Sequence, residues 1–169
     1  MDAIHGINAL SPEQAENEFL KCCGSRRWAA RMTAERPFEN LEEMVTAADR
    51  IWWALESNDW LEAFDSHPKI GEKKPAASVT RESLSWSEAE QSGTRDSTQQ
   101  TMQELAELNR QYQEKFGFIY IVCATGKSAD EMLALLRNRL INKPTTEMQN
   151  AAAEQAKITT LRLNKLIEA

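Results

Sequence analysis

Residues 40–55 read NLEEMVTAADRIWWAL, and this stretch indicates the fold class. Asn40 followed by Glu43 is typical of a helix start, because both side chains can bond the free N–H groups of a first helical turn. Apolar residues then recur at spacings of four and three: Met44, Ala48, Ile51, Trp52 and Leu55. Such spacing places them on one side of a helix, so the stretch predicts an amphipathic α-helix.

Similar signals recur along most of the chain. Ser11-Pro12-Glu13-Gln14 is a capping box with proline at the first helical position. Further helices are predicted from Ser97 to Phe116, ended by Gly117; from Ser128, stopped by Lys143-Pro144; and from Thr146 to about Ile167. The sequence therefore predicts an all-α protein with about six to eight helices, forming a single domain over residues 1–169.

Residues 118–122, FIYIV, differ from this pattern. Their β-branched and aromatic side chains are typical of a strand, but the sequence has no second segment to pair with it. We expect an extended, buried connector here, or a helix start.

Composition excludes several classes of function. The 169 residues carry a net charge of −6, which argues against nucleic-acid binding as the main role. The longest uncharged apolar run, residues 116–124, is less than half of the about 20 residues that a membrane span needs. The first residues do not resemble a signal peptide, and Ile167-Glu168-Ala169 is not a peroxisomal address. We expect a cytoplasmic protein with no membrane partner.

The cysteines and histidines do not form a metal-binding pattern. Cys22, Cys23 and Cys123 include no CxxC pair, and neither His5 nor His67 has a second His or Cys at ligand spacing. We expect no disulfide framework and no bound metal.

His67 is a candidate for proton transfer. It lies in a stretch from Ser66 to Arg81 that has no apolar periodicity, and a loop of this length is uncommon without a function. Pro68 disfavours helical backbone at His67 and so places the imidazole at a bend. Imidazole titrates near neutrality, which suits acid–base work. The alternative is a surface histidine that ends a helix.

Ser87, Glu90 and Gln91 are candidates for binding a polar ligand. They lie three and four residues apart, so they share one face if this segment is helical. The alternative is a solvated helix face.

Arg162 lies within the apolar face of the last predicted helix. With Ile158 at zero on a wheel of about 100° per residue, Arg162 falls near 40° and Gln155 near 60°. A buried guanidinium is costly unless paired, which makes Arg162 a candidate to hold an anion. A structural ion pair, or a side chain that reaches the surface, is the alternative.

Five short motifs follow one another between Ser66 and Leu163, within a stretch of similarity that extends from about Leu10 to Leu166. They are Ser66-His67-Pro68-Lys69-Ile70-Gly71, Trp86-Ser87 with Glu90-Gln91-Ser92-Gly93, Leu108-Asn109 with Tyr112, Lys115-Phe116-Gly117-Phe118, and Lys157-Ile158 with Leu161-Arg162-Leu163. Together they resemble the 2-oxo-4-hydroxy-4-carboxy-5-ureidoimidazoline (OHCU) decarboxylase family. The chain departs from that family at Ile119, where relatives commonly have proline, and near Thr125, where they have a basic residue.

The resemblance implies a cofactor-free, all-helical, homodimeric carboxy-lyase with no metal. It would convert OHCU, a small-molecule substrate, to (S)-allantoin and CO₂ in urate degradation and purine metabolism, with possible functional coupling to uricase and hydroxyisourate hydrolase. The implied catalytic residues are His67, Glu90 beside it, and Arg162, which would hold an anionic group of the substrate. The implied substrate-binding residues are Pro68, Ser87, Gln91 and the backbone of Tyr120, Ile121, Val122, Cys123 and Ala124.

Two other functions stay open on the residues alone. One is a non-catalytic all-α module that holds a small acidic ligand through tryptophan and arginine side chains. The other is a metal-assisted hydrolase of ureido compounds, which the missing metal-ligand pattern disfavours.

Overall fold

Helices make up the regular structure of the chain. The computed structural model describes residues 3–70, 81–94 and 97–168, and within these ranges it contains nine α-helices, one 3₁₀ turn and no β-strand. The helices are α1 (Ala3–Ala9), α2 (Pro12–Cys22), α3 (Arg26–Glu35), α4 (Leu41–Trp53), α5 (Ser57–Asp65), α6 (Arg81–Glu90), α7 (Gln99–Phe116), α8 (Ala129–Leu140) and α9 (Pro144–Glu168), with the 3₁₀ turn at Ser92–Thr94. The all-α prediction is confirmed, with one helix more than the expected six to eight.

The predicted helix starts are confirmed by their capping bonds. The Ser11 side chain accepts from the Gln14 N–H in a capping box, and the Asn40 Oδ1 accepts from the Glu43 N–H at 2.8 Å. At the last helix the prediction was wrong by two residues: α9 begins at Pro144 rather than near Thr146. Proline fits the first helical turn because the N–H that it lacks would have no partner there.

By its internal contacts the chain divides into two compact units. The first comprises residues 1–63 and 156–169, and the second comprises residues 64–155. In the first unit α3 packs on both α2 and α4, and the Trp28 indole donates to the Ala48 carbonyl at 3.1 Å. The expectation of a single domain over residues 1–169 stays a prediction.

In the second unit α7 packs on α8, and the chain between them forms the segment expected from the sequence. Gly117 ends α7 with a φ of 84°, and residues 118–124 then have no helical or strand structure. Six of these seven residues are buried: Phe118, Tyr120, Ile121, Val122, Cys123 and Ala124. We call residues 120–124 the connector segment; its burial confirms the predicted connector and excludes the helix start.

Within the described ranges, no helix has both the length and the apolar character that crossing a membrane requires.

Gly117→Ala should lower the free energy of unfolding by about 1 kcal/mol, because an L side chain is strained at this positive φ. A Cβ at this position would meet no atom within 4 Å, so the change isolates backbone strain. Gly6→Ala is the matched control: Gly6 lies inside α1 with equally open space, and the substitution should stabilise by about 0.5–1 kcal/mol. Urea unfolding measures both. Equal effects of the two changes would contradict the left-handed cap.

Candidate active site

His67 lies in the turn that leaves α5. Its N–H donates to the Phe64 carbonyl at 3.2 Å, and Pro68, which follows, is buried. The imidazole Nε2 lies 2.5 Å from Oε1 of Gln155, which is wholly buried on α9. The imidazole is therefore held by a neutral amide at one nitrogen. The rest of the predicted loop, residues 71–80, lies outside the described residues.

Glu90 and Ser87 both face inward from α6. Glu90 is 8% exposed and Ser87 is 4% exposed, so the solvated-face alternative does not apply to them. The Ser87 hydroxyl donates to the Ser83 carbonyl at 3.0 Å, while the Gln91 N–H, just beyond the helix, donates to the Ser87 carbonyl at 3.1 Å.

Gly93 lies in the same motif as Glu90, and no larger residue would fit at its position. A Cβ on Gly93 would lie 2.1 Å from the Lys127 carbonyl oxygen, so only glycine allows this approach of the two backbones. The end of α6, with Glu90, is thereby kept close to the turn that follows the connector segment.

Side chains bond the connector segment at alternate residues. Arg139 donates to the Ile121 carbonyl, Glu154 Oε1 accepts from the Cys123 N–H at 3.1 Å, and Lys127 Nζ donates to the Cys123 carbonyl at 2.7 Å. Among the described residues, the N–H and C=O groups of Val122 have no hydrogen-bond partner. Val122 therefore has a backbone donor and a backbone acceptor that no described residue bonds, between two residues, Ile121 and Cys123, that side chains do bond.

Burial and nearby charged side chains shift the pKa of the Cys123 thiol. Burial raises its pKa, the Lys127 ammonium opposes this, and the carboxylates of Glu154 and Glu90 raise it further. Glu90 therefore lies close enough to the connector segment for its charge to act on Cys123.

Arg162 belongs to the first unit and is buried there. It is 4% exposed on α9, which confirms the burial that the helical wheel predicted. Its Nη1 donates to the Lys21 carbonyl at 3.4 Å, and its charge acts on Cys23. Burial raises the Cys23 pKa to about 12 against the opposing effects of Ser25, Thr159 and Arg162. The Arg162 side chain is thus buried, and its role in holding an anion stays a prediction.

Sequence reasoning missed the partners of the predicted residues. Gln155 was placed on the apolar face of α9 but given no role, Glu154 was placed outside that face, and Lys127 and Arg139 were given no role. A polar residue on an otherwise apolar helix face was the one signal available, and it pointed to Gln155.

No group of three or more histidine, cysteine or acidic residues that could hold a metal ion occurs within the described part of the chain. The expectation of a metal-free site stays a prediction.

Among the described residues, the fold and these contacts define a class: an all-helical protein with buried polar side chains and, at Val122, backbone N–H and C=O groups without a partner. The OHCU decarboxylase family model matches residues 8–164. The chain belongs to the OHCU decarboxylase family.

The chain is similar to relatives named as bifunctional proteins of uric acid degradation and to relatives named as OHCU decarboxylases. The uric acid degradation bifunctional protein TTL of Arabidopsis thaliana is 43% identical over 93% of the chain, and the OHCU decarboxylase of Xenopus laevis is 33% identical over 95% of it and 91% of the relative. The chain spans 48% of the length of the Arabidopsis protein. A crystal structure of OHCU decarboxylase in the presence of (S)-allantoin is 39% identical, with a TM-score of 0.79 over 90% of this chain and 99% of that one.

Proposed function

We propose that the protein decarboxylates OHCU to (S)-allantoin and CO₂ in urate degradation, without a cofactor. The observation that carries the proposal is the family match over residues 8–164, which includes every proposed site residue. The buried positions of Glu90 and Arg162 and the amide-bonded imidazole of His67 support it.

The substrate itself can take up the electrons that decarboxylation releases. The bond between the ring carbon and the carboxylate breaks, CO₂ leaves, and the electron pair moves into the adjacent ring C=N. The ring nitrogen takes up a proton and leaves an enol, whose hydroxyl then loses its proton to become the ring carbonyl of allantoin while a proton adds to one face of the neighbouring, ureido-bearing carbon. The protein need only orient the carboxylate, exclude water and deliver that proton, and electrostatic placement is usually the largest contribution to such a step.

The residues divide these tasks. His67 acts as acid and base at the substrate hydroxyl and controls protonation, with Glu90 beside it. Arg162 holds an anionic group of the substrate by a charge-assisted hydrogen bond. Pro68, Ser87 and Gln91 bind the substrate, together with the backbone of residues 120–124.

The backbone contribution is best assigned to Val122. A ureido group offers both N–H donors and a carbonyl acceptor, which complement the C=O and N–H of Val122. The N–H and C=O of Cys123 are already bonded to Glu154 and Lys127, so its share in binding is smaller than the resemblance alone implies.

Further proposals follow from the family. The chain forms a homodimer in the cytoplasm and works next to uricase and hydroxyisourate hydrolase. Relatives named as bifunctional proteins of uric acid degradation support coupling to a neighbouring step.

Direct turnover tests the proposal against a binding module. OHCU is generated from urate by uricase and hydroxyisourate hydrolase, and circular dichroism follows the product with and without this protein. We expect faster formation of one allantoin enantiomer and of CO₂. An unchanged time course would leave only a binding role.

His67→Asn should lower kcat by about 10²–10⁴-fold, the usual contribution of general acid–base catalysis. The melting temperature should stay nearly unchanged, because an amide can still bond Gln155. His5→Asn is the matched control, since His5 is the other histidine and lies exposed on α1. Turnover by His67→Asn equal to that of the control would mean that His67 only forms the bend.

Arg162→Met should keep the melting temperature but weaken substrate binding by about 2–5 kcal/mol, because a desolvated charge pair with the substrate is lost. Arg162→Lys should rescue in part, since an ammonium lacks the planar fork of donors. The values of KM and Tm are measured for each variant.

Arg36→Met is the control for a structural arginine. Arg36 donates to the carbonyls of Ile7, Leu10 and Thr33, so its loss should lower Tm and leave KM unchanged. If Arg162→Met behaves like Arg36→Met, Arg162 is structural and the anion-binding role is wrong.

A further inference from the structure

A wholly buried carboxylate lies within the second unit. Glu147, in the first turn of α9, is 0% exposed and accepts four hydrogen bonds. The donors are Tyr112 Oη at 2.6 Å, Arg139 Nε at 2.6 Å, Asn142 Nδ2 at 2.9 Å and Asn150 Nδ2 at 2.8 Å. Each oxygen of the carboxylate therefore has two donors, which compensates for its removal from water.

The charges of this cluster are fixed. Burial alone would raise the pKa of Glu147, but the bonds from Tyr112, Asn142 and Asn150 and the Arg139 charge hold it below its ordinary value. Burial likewise tends to lower the pKa of Arg139, yet Tyr112 and Glu147 raise it. Glu147 stays an anion and Arg139 a cation across the range in which an enzyme works.

Arg139 extends from this cluster to the connector segment. While Nε binds Glu147, Nη1 donates to the Ile121 carbonyl and Nη2 to the Tyr112 hydroxyl at 3.2 Å. The guanidinium also lies 4.8 Å from the centroid of the Tyr120 ring, within cation–π range. One planar group thus fixes the side chain of residue 120 and the backbone of residue 121, immediately before Val122.

From this geometry we infer that Arg139, held by Glu147, is a positioning residue for substrate binding; the inference rests on the proposed function. Arg139 does not contact the substrate. It bonds the carbonyl of Ile121, the residue directly before Val122, and so fixes the backbone from which the Val122 N–H and C=O bind the substrate. The bonds from Glu154 and Lys127 to Cys123 hold the segment on the far side of Val122.

A lysine at position 139 could not hold the connector segment in this way. An ammonium could stay paired with Glu147, but it cannot present donors to Glu147, Ile121 and Tyr112 in one plane. Arg139→Lys therefore keeps the buried charge pair while releasing the connector segment, which separates positioning from simple charge compensation.

The test compares Arg139→Lys with Leu105→Ala. Leu105 is wholly buried on α7 and has no bond to the cluster, so its truncation lowers stability through a cavity alone. KM and kcat for freshly generated OHCU are measured well below both melting temperatures. We expect Arg139→Lys to raise KM at least about tenfold, since small displacements of binding groups have large effects. Leu105→Ala should keep KM within about twofold.

Each result of this comparison either supports or overturns the positioning role of Arg139. A lower Tm with KM unchanged in Arg139→Lys, or the same KM rise in both variants, overturns positioning and leaves a structural cluster. If Arg139→Lys does not fold, Tyr112→Phe takes its place. It removes one hydroxyl from the cluster and should raise KM about threefold, with no rise counting against the inference. Failure of the wild-type chain to release CO₂ would instead refute the proposed function.

Discussion

The burial of Glu147 is the constraint on which the second unit depends. A lone carboxylate in the interior would cost several kcal/mol, so the chain must supply donors from several elements at once. Tyr112 comes from α7, Arg139 from α8 and Asn150 from α9 itself. One carboxylate therefore bonds side chains of three helices within this unit, and removing Arg139 would leave a buried anion without its opposite charge. The positions of these donors are tightly constrained because a buried carboxylate without them would destabilise the fold.

This constraint explains how a segment without regular structure can be ordered. Residues 118–124 have no strand partner among the described residues, yet they are mostly buried. Buried backbone groups need hydrogen bonds, and side chains of α8, α9 and the following turn supply them at Ile121 and Cys123. The N–H and C=O groups of Val122 have no partner among the described residues, and we propose that they bind the substrate. A segment ordered in this way supplies donor and acceptor together, which a polar, planar substrate can meet at two points.

Much of the fold could be predicted from the sequence because its determinants are local. The caps at Ser11, Asn40 and Ser128 and the burial of Arg162 follow from helical geometry alone. The partner of His67 could not be predicted, since Gln155 is 88 positions away and meets it only through tertiary packing.

The burial of two charged residues near helix ends could not be predicted either, for a related reason. Glu147 in the first turn of α9 and Arg139 in the last turn of α8 look like ordinary solvent-exposed residues that complement helix dipoles. Only the folded chain reveals that both are buried and bonded to each other. The motifs of the family contain the proposed site residues His67, Glu90 and Arg162, whereas Arg139, Lys127 and Glu154, which bond the connector segment, lie outside those motifs.

Amide hydrogen exchange at single residues tests the central claim. The claim is that the Val122 N–H is unbonded without ligand, in a segment that side chains hold at Ile121 and Cys123. In the protein without ligand, the Cys123 amide should exchange slowly because it is bonded to Glu154, and the Val122 amide should exchange faster. Saturating (S)-allantoin should slow exchange at Val122 at least about tenfold and change Cys123 little. A Val122 amide that is equally protected without ligand, or that does not respond to saturating (S)-allantoin, would contradict the account.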